Sequence, residues 1–189
     1  MKTLDTARLR IVPLTVEDAP FILELVNDPA WIRFIGDKNV HSLADAEGYL
    51  RKGPLAMYKR HGYGLYRVDQ RSDGAKVGMC GLIRRDGLED VDVGFAFLES
   101  ARGQGYASEA ARAVLDYGLG ELALGRIVAI TNVDNHASSR VLEKLGMRFV
   151  RTMQLPRDTT ELKLYEIERG ALSSASTAAE GSRGTARSA

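Results

Sequence analysis

Hydrophobic and polar positions along the chain switch repeatedly between a period of two and a period near 3.6. Leu9 and Ile11 alternate with arginines, which predicts a first strand closed by Pro13. Thr15-Val16-Glu17-Asp18 has the form of a capping box, and Ala19, Ile22, Leu23 and Val26 follow at helical spacing; Pro20 places the helix start close by. Asn27-Asp28-Pro29 ends that helix. Ser42-Leu43-Ala44-Asp45 opens a second with Leu43, Ala46 and Leu50 on one side, and Gly53-Pro54 interrupts it before helix resumes towards Lys59. The linker between the two helices carries Trp31, Phe34 and Ile35, which are expected either to pack on the core or to floor a substrate cleft.

Three strand patterns follow, Gly64 to Asp69, Lys76 to Arg84 and Val91 to Leu98. Turns at Asp73-Gly74 and Asp86-Gly87 are too short for crossovers, so these strands are expected to be antiparallel. In the third, Val91, Val93, Phe95 and Phe97 share one face. Asp92, Gly94, Ala96 and Leu98 share the other, which is small and leaves room for a ligand. A glycine-rich turn, Arg102 to Ala107, leads into a helix with a stripe of small residues, Ala107, Ala110, Ala111, Val114 and Gly118. A β run covers Arg126 to Thr131. Asn135 is a good N-cap for a helix built on Ala137, Val141, Leu142 and Leu145 and ended by Gly146. Short strands near Phe149 to Met153 and Leu162 to Ile167 close the pattern. The order β-α-α-β-β-β-α-β-α-β-β predicts an α/β (α+β) fold. Its one clear crossover joins strands 91–98 and 126–131 in parallel.

Composition narrows the setting. The 189 residues suit one domain, expected over 1–170, and the Ala/Ser/Gly-rich stretch 171–189 is expected to be a disordered tail. With 26 basic against 25 acidic residues the net charge is +1, which argues against a general nucleic-acid or anionic-membrane partner. Cys80 is the one cysteine, so an intramolecular disulfide is excluded, and its apolar surroundings suit packing better than nucleophilic duty. No apolar stretch approaches membrane-spanning length and no leader-like segment opens the chain, so a cytoplasmic location is expected. His41, His61 and His136 stand apart and no cysteine pair exists, so no metal site is expected.

The chemistry centres on Arg102-Gly103-Gln104-Gly105-Tyr106-Ala107. Two glycines allow a tight turn and close approach of main-chain N–H groups to a ligand, and the following helix adds unpaired amides and the positive end of its dipole. It is not a P-loop, because Tyr106 and Ala107 follow Gly105 where Lys and Ser/Thr are needed. It is not a Rossmann fingerprint either, since the third small residue and the βαβ context are missing. A phosphate cradle without a magnesium ligand points to a cofactor whose phosphates serve as a handle, such as coenzyme A.

The same hexapeptide resembles the Gln/Arg-x-x-Gly-x-Gly/Ala motif of the GNAT superfamily of acetyl-CoA-dependent N-acetyltransferases. Leu4-x-Thr6-x-Arg8-Leu9, Asp92-Val93-Gly94-Phe95, Gly103 to Ala110, and Asn135-x-x-Ser138-x-x-Val141-Leu142-Glu143-Lys144-Leu145-Gly146 are similar to the RimJ/RimL-type branch, the ribosomal-protein N-terminal acetyltransferases. The likeness runs from about Leu4 to Ile167. It implies a GNAT-like, mostly antiparallel sheet of six to seven strands with a central splayed parallel pair, about four flanking helices and, as in related enzymes, a homodimer.

For the cofactor, acetyl-CoA, the resemblance implies pyrophosphate contacts from the amides of Gly103, Gln104, Gly105 and Ala107, within a binding segment that includes Arg102 and Tyr106. It implies pantetheine contacts along Phe97 and Leu98, and a further contact from Asn135, which otherwise serves only as a cap. Many relatives place a tyrosine acid where this chain has Leu142. The branch instead carries a serine, Ser138 here, suited to orienting a proton or water near the sulfur; its alternative is an ordinary first-turn serine. Tyr165 is a second candidate acid, or a core tyrosine. Asp92, or Glu89 acting through water, is the candidate base, unless Asp92 pairs with a nearby basic residue. An α-amine with pKa about 7.7–8.0 asks less of such a base than a lysine at about 10.4. That leans the acceptor towards a protein N-terminus, with the segment Trp31 to Val40 shaping the acceptor groove. A small amine, such as a polyamine, amino acid or drug, and a non-catalytic acyl-CoA-binding module are the alternatives.

Overall fold

A computed structural model describes residues 1–156 and 158–170; the predicted tail lies outside the described residues. Eight strands form one sheet: β1 (Leu4–Asp5), β2 (Leu9–Pro13), β3 (Leu65–Gln70), β4 (Lys76–Ile83), β5 (Val91–Phe97), β6 (Arg126–Asn132), β7 (Arg148–Met153) and β8 (Leu162–Glu168). Their spatial order is β1-β2-β3-β4-β5-β6-β8-β7. Every neighbouring pair is antiparallel except β5 and β6. The additional strand is β1, whose two residues are too few to show a period.

The helices are α1 (Ala19–Val26), α2 (Pro29–Ile35), α3 (Leu43–Lys52), α4 (Pro54–His61), α5 (Tyr106–Asp116) and α6 (His136–Lys144). The expected linker after Asp28 is therefore helical from Pro29 onward. Asp28 accepts a hydrogen bond from the Ala30 amide at 2.8 Å, and Pro29 occupies the first helical position, where its missing N–H costs nothing. Asn27-Asp28-Pro29 is thus both the stop of one helix and the start of the next.

Helices cover both faces of the sheet. One core packs Val91, Val93 and Phe97 of β5 with Ala110, Ala111, Val114 and Leu115 of α5 and with Leu142 of α6. The other packs Met79 with Phe21, Ile22, Leu25, Trp31 and Leu50 from α1 to α3. The small stripe on α5 and the turn after it is what lets that segment lie close to the strands. A Cβ added at Gly118 would stand 2.6 Å from Ile127 Cδ1. After Asp116 the helix widens into a π-helical turn, Tyr117–Glu121, in which the Leu122 amide bonds the Tyr117 carbonyl at 3.0 Å.

Candidate active site

β5 and β6 stay paired only at Val91–Ile127 and Asp92–Val128. Beyond those residues the strands part, and a cleft of about 690 Å³ opens between them. Alternation along β5 decides which main-chain groups face it. The Leu98 amide bonds the Val77 carbonyl at 3.0 Å, and the β4–β5 register is unbroken. Ala96, Gly94 and Asp92 therefore spend their main-chain groups on β4, while those of Val93, Phe95 and Phe97 point towards the splay. Leu98, against expectation, is engaged elsewhere: its N–H goes to the Val77 carbonyl and its own carbonyl accepts from the Ala101 amide at 3.0 Å. Phe97 does face the cleft, although its carbonyl already accepts from Arg102 Nε at 3.0 Å, leaving the N–H as its donor.

The glycine turn lies at one end of this cleft. Gly103 (φ +75°) and Gly105 (φ +81°) both adopt the left-handed conformation that side chains disfavour. Gly105 directly precedes α5, and the first helical bond runs from the Glu109 amide to the Gly105 carbonyl at 3.1 Å. The amides of Tyr106, Ala107 and Ser108 thus lack helical acceptors and stand where an anion would be held. Gly103, Gly105, Tyr106, Ala107 and Ser108 line the cleft. Ser108 was not singled out in the sequence.

Side chains brace this turn from behind. Arg8 Nη1 donates to the Gln104 carbonyl at 2.9 Å, Arg8 Nη2 meets Glu109 at 2.7 Å, and the guanidinium lies 4.7 Å from the centre of the Tyr106 ring. The Arg8 amide and the Thr6 hydroxyl donate to the same Glu109 oxygen at 2.8 and 2.6 Å. Burial alone would raise the Glu109 carboxyl, but these donors hold it below its ordinary value. Gln104 turns its side chain to the Ser100 carbonyl at 2.8 Å, away from any ligand. Arg102 is similarly engaged, bonded to Asp28 and to the Phe97 carbonyl, so it ties the turn to the start of α2. The Tyr106 ring is buried, with its hydroxyl accepting from Gln70.

Asp92 sits where the strands begin to part. It is 1% exposed, and one carboxylate oxygen accepts from Arg85 Nε at 3.0 Å and Nη2 at 2.8 Å. The other oxygen, Oδ1, has no hydrogen-bond partner among the described residues. Burial pushes the Asp92 carboxyl up to about 6, while Arg85 and the Ile130 amide oppose that rise. Asp92 thus pairs with a basic residue and still keeps an unsatisfied oxygen beside the cleft. Arg85 itself went unrecognised in the sequence. Its signal is register: Asp92 faces Ile83 on β4, which puts Arg85 just past that strand end.

Asn135 caps α6 with its carbamoyl oxygen, which accepts from the Ser138 amide at 3.1 Å, so its NH₂ group remains as a donor. Asn135, Ser138 and Leu142 all line the cleft. Glu89 and Tyr165 do not. Glu89 is exposed in the β4–β5 turn, its carbonyl accepting from Arg84. Tyr165 is buried, packs edge-on against Phe149 with ring centres 5.8 Å apart, and donates to Glu143 at 3.4 Å. Cys80 is fully buried, which raises its thiol pKa and suits packing. Trp31, Phe34 and Ile35, the supposed linker residues, form the apolar wall of the cleft, and Trp31 is also part of the second core.

A family model described as acetyltransferase (GNAT) domain matches residues 8–148. The chain belongs to the GNAT acetyltransferase family. The N-acetyltransferase YnaD of Bacillus subtilis (strain 168) is 30% identical over 145 residues, 77% of this chain and 82% of that protein. YkkB of the same organism is 36% identical over 99 residues, which span 51% of this chain and 57% of YkkB. Among solved structures, the acetyltransferase from Agrobacterium tumefaciens str. C58 superposes with a TM-score of 0.76 at 25% identity, covering 89% of this chain and 95% of that one. The RimL ribosomal L7/L12 α-N-protein acetyltransferase solved with coenzyme A shares the fold, with a TM-score of 0.76 at 19% identity over 88% and 98% of the two chains.

This GNAT chain is an acetyl-CoA-dependent N-acetyltransferase, an enzyme acting on amines. Its residues fit the cofactor at two places: the left-handed glycine turn before α5 and the main-chain groups of β5 left open by the splay. Among the described residues no cluster of His, Cys, Asp or Glu is placed to hold a metal. None of their helices is long and apolar enough to cross a membrane.

Proposed function

We propose that this N-acetyltransferase acts on the α-amine of a protein N-terminus and belongs to the RimJ/RimL-type branch. The observation that carries the reading is the strength of the available base. Asp92 is the carboxylate at the fork of the cleft, and burial sets it near 6. Proton transfer to such a group is uphill by about two pKa units from an α-ammonium of pKa about 7.7–8.0, and by more than about four from a lysine at about 10.4.

Bound acetyl-CoA supplies a thioester carbonyl, already reactive towards a neutral amine. The chain's own residues do the rest. The amides of Gly105 to Ser108 and the turn before them hold the diphosphate. The open main-chain groups of Val93, Phe95 and Phe97 align the pantetheine arm beside β5. Asn135 Nδ2 donates a further hydrogen bond from the start of α6. Asp92 Oδ1 receives the proton of the incoming ammonium, with Arg85 holding the carboxylate in place. Ser138 orients a proton or water near the sulfur, and Leu142 keeps that end of the cleft apolar. Glu89, considered as a base acting through water, and Tyr165 do not line the cleft and are given no role in this reading. The reading places the enzyme in the cytoplasm.

A panel assay of free thiol released from acetyl-CoA tests this. Peptides with free N-termini should be acetylated, whereas N-blocked lysine peptides and polyamines should not. Turnover of small amines alone would replace the protein N-terminus by a small-molecule acceptor.

A further inference from the structure

The charges lining the cleft are unequal. Its two carboxylates, Asp28 and Asp92, are each bonded to a cleft arginine, Arg102 and Arg85. Three more cations line it. Arg140 and Lys144 lie on α6, the helix capped by Asn135. Lys38 lies elsewhere, in the segment between α2 and α3, on the wall formed by Trp31, Phe34 and Ile35. Its ammonium donates to the Ile35 carbonyl at 3.2 Å and makes no ion pair within 4.0 Å among the described residues. Asp37 and Asp158 act on it only at longer range. Arg85 is near enough to Lys38 to oppose its charge, and Arg85 Nη1 has no hydrogen-bond partner among the described residues. Two cations therefore face this wall of the cleft with donors to spare, and each of the two carboxylates that line the cleft already holds an arginine, Asp37 and Asp158 standing farther off.

We infer that the acceptor carries an anionic group, a carboxylate, a few bonds from the amine that is acetylated, and that Lys38 and Arg85 recognise it. This deepens the reading of the cleft as an acceptor site for α-amines. In a protein N-terminus the group is an acidic side chain in the first residues. In a small acceptor it is the carboxylate of an amino acid. The wall repels acceptors with a second ammonium, because Asp28 is paired with Arg102 and the open oxygen of Asp92 is taken by the reacting amine. Lys38 is exposed to solvent, and its partial desolvation and the neighbouring Arg85 lower its pKa against the pull of Asp158 and Asp37.

The experiment uses the full chain, acetyl-CoA and C-terminally amidated hexapeptides that differ only by Asp, Ala or Lys at one of the first three positions, together with free amino acids and their amides. A charge-assisted hydrogen bond at this half-open wall should make kcat/KM for the best Asp peptide about tenfold higher than for its Ala counterpart, with Lys lower still. Lys38→Met should bring the Asp-to-Ala ratio close to one, and Lys38→Glu should favour the Lys peptide, with unchanged thermal midpoints. A flat series in the wild type, or a ratio unaffected by both variants, overturns the inference. Peptides acetylated equally whatever their charge would remove it and leave the N-terminal reading standing. Free amino acids acetylated in preference to their amides, with no peptide turned over, would remove the N-terminal reading and keep the carboxylate requirement.

Discussion

Arg8 reaches across 96 positions of sequence to donate a 2.9 Å hydrogen bond to the main-chain carbonyl of Gln104, at the middle of the glycine turn. That bond engages one carbonyl of the turn, and Gly105 and Tyr106 to Ser108, which follow it, line the cleft. The strand-entry residues Thr6 and Arg8 and the helix residue Glu109 form one connected brace.

Arg8→Ala removes the brace but none of the cradle's own atoms. KM for acetyl-CoA should rise about tenfold while kcat changes less than threefold, since the lost charge-assisted bonds act on cofactor seating. Arg8→Lys should recover little, because an ammonium cannot bridge Gln104 and Glu109 together. Equal KM values in steady-state kinetics would mean that the brace serves stability alone.

Asp92 gives a pH signature. Because Asp92 takes the proton of the bound ammonium, the reactive pair is ionised Asp92 with the protonated amine, and below about 6 protonation of Asp92 removes it tenfold per pH unit. A plot of log kcat/KM should therefore be flat from about 6 to the amine pKa and fall with a slope near one below about 6. Asp92→Asn should lose the lower break and about a hundredfold in rate. For stability the sign is opposite. The folded chain binds this proton more tightly than an unfolded one with its value of 3.8, so the contribution of Asp92 is complete below pH 3.8 and is lost as pH rises through about 6.

Ser138→Ala should lower kcat roughly tenfold with little change in the affinity for coenzyme A, because Ser138 lines the cleft but caps nothing with its side chain. Single-turnover rates separate this from a binding defect. An unchanged kcat would leave Ser138 as a first-turn helix residue only.

Away from the cleft, Asp18 is 1% exposed and holds Arg67 Nη1 at 2.5 Å and Lys76 Nζ at 2.8 Å. Burial would raise its carboxyl, but Lys76, the Thr15 amide and Arg67 together bring it below 3.8. Asp18→Asn should cost about 2–3 kcal/mol in urea unfolding at pH 7, less than for a fully buried pair because both cations reach solvent. The wild-type advantage is present above pH 3.8 and fades as pH falls through the lowered value.

Much of this architecture is written in local pattern. Alternation marked β5, and the glycine turn between it and a small-residue helix marked the parallel crossover. The early part of the chain was harder to read. Pro29 carries the same meaning as a helix stop or a first helical residue, so α2 and its cap Asp28 looked like linker. The site was legible where it depends on main chain: Gly103, Gly105, Ala107 and Phe97 all meet at the cleft. It was less legible where long-range packing decides. Glu89 and Tyr165 are plausible by chemistry but are turned away by the β4–β5 turn and by the Phe149 contact. Leu98 falls one residue out of phase with the splay. Arg85 and Lys38 come from hairpin and loop positions that no periodicity points to.

The account rests on an α-amine acceptor, and one peptide that offers both kinds of amine tests it most directly. A hexapeptide with a free N-terminus, an early acidic residue and an internal lysine, incubated with the enzyme and acetyl-CoA at pH 7, should gain a single acetyl group that fragment-ion mass spectrometry places on the N-terminal nitrogen. Acetyl found on the lysine ε-nitrogen, with the N-terminus untouched, would contradict it.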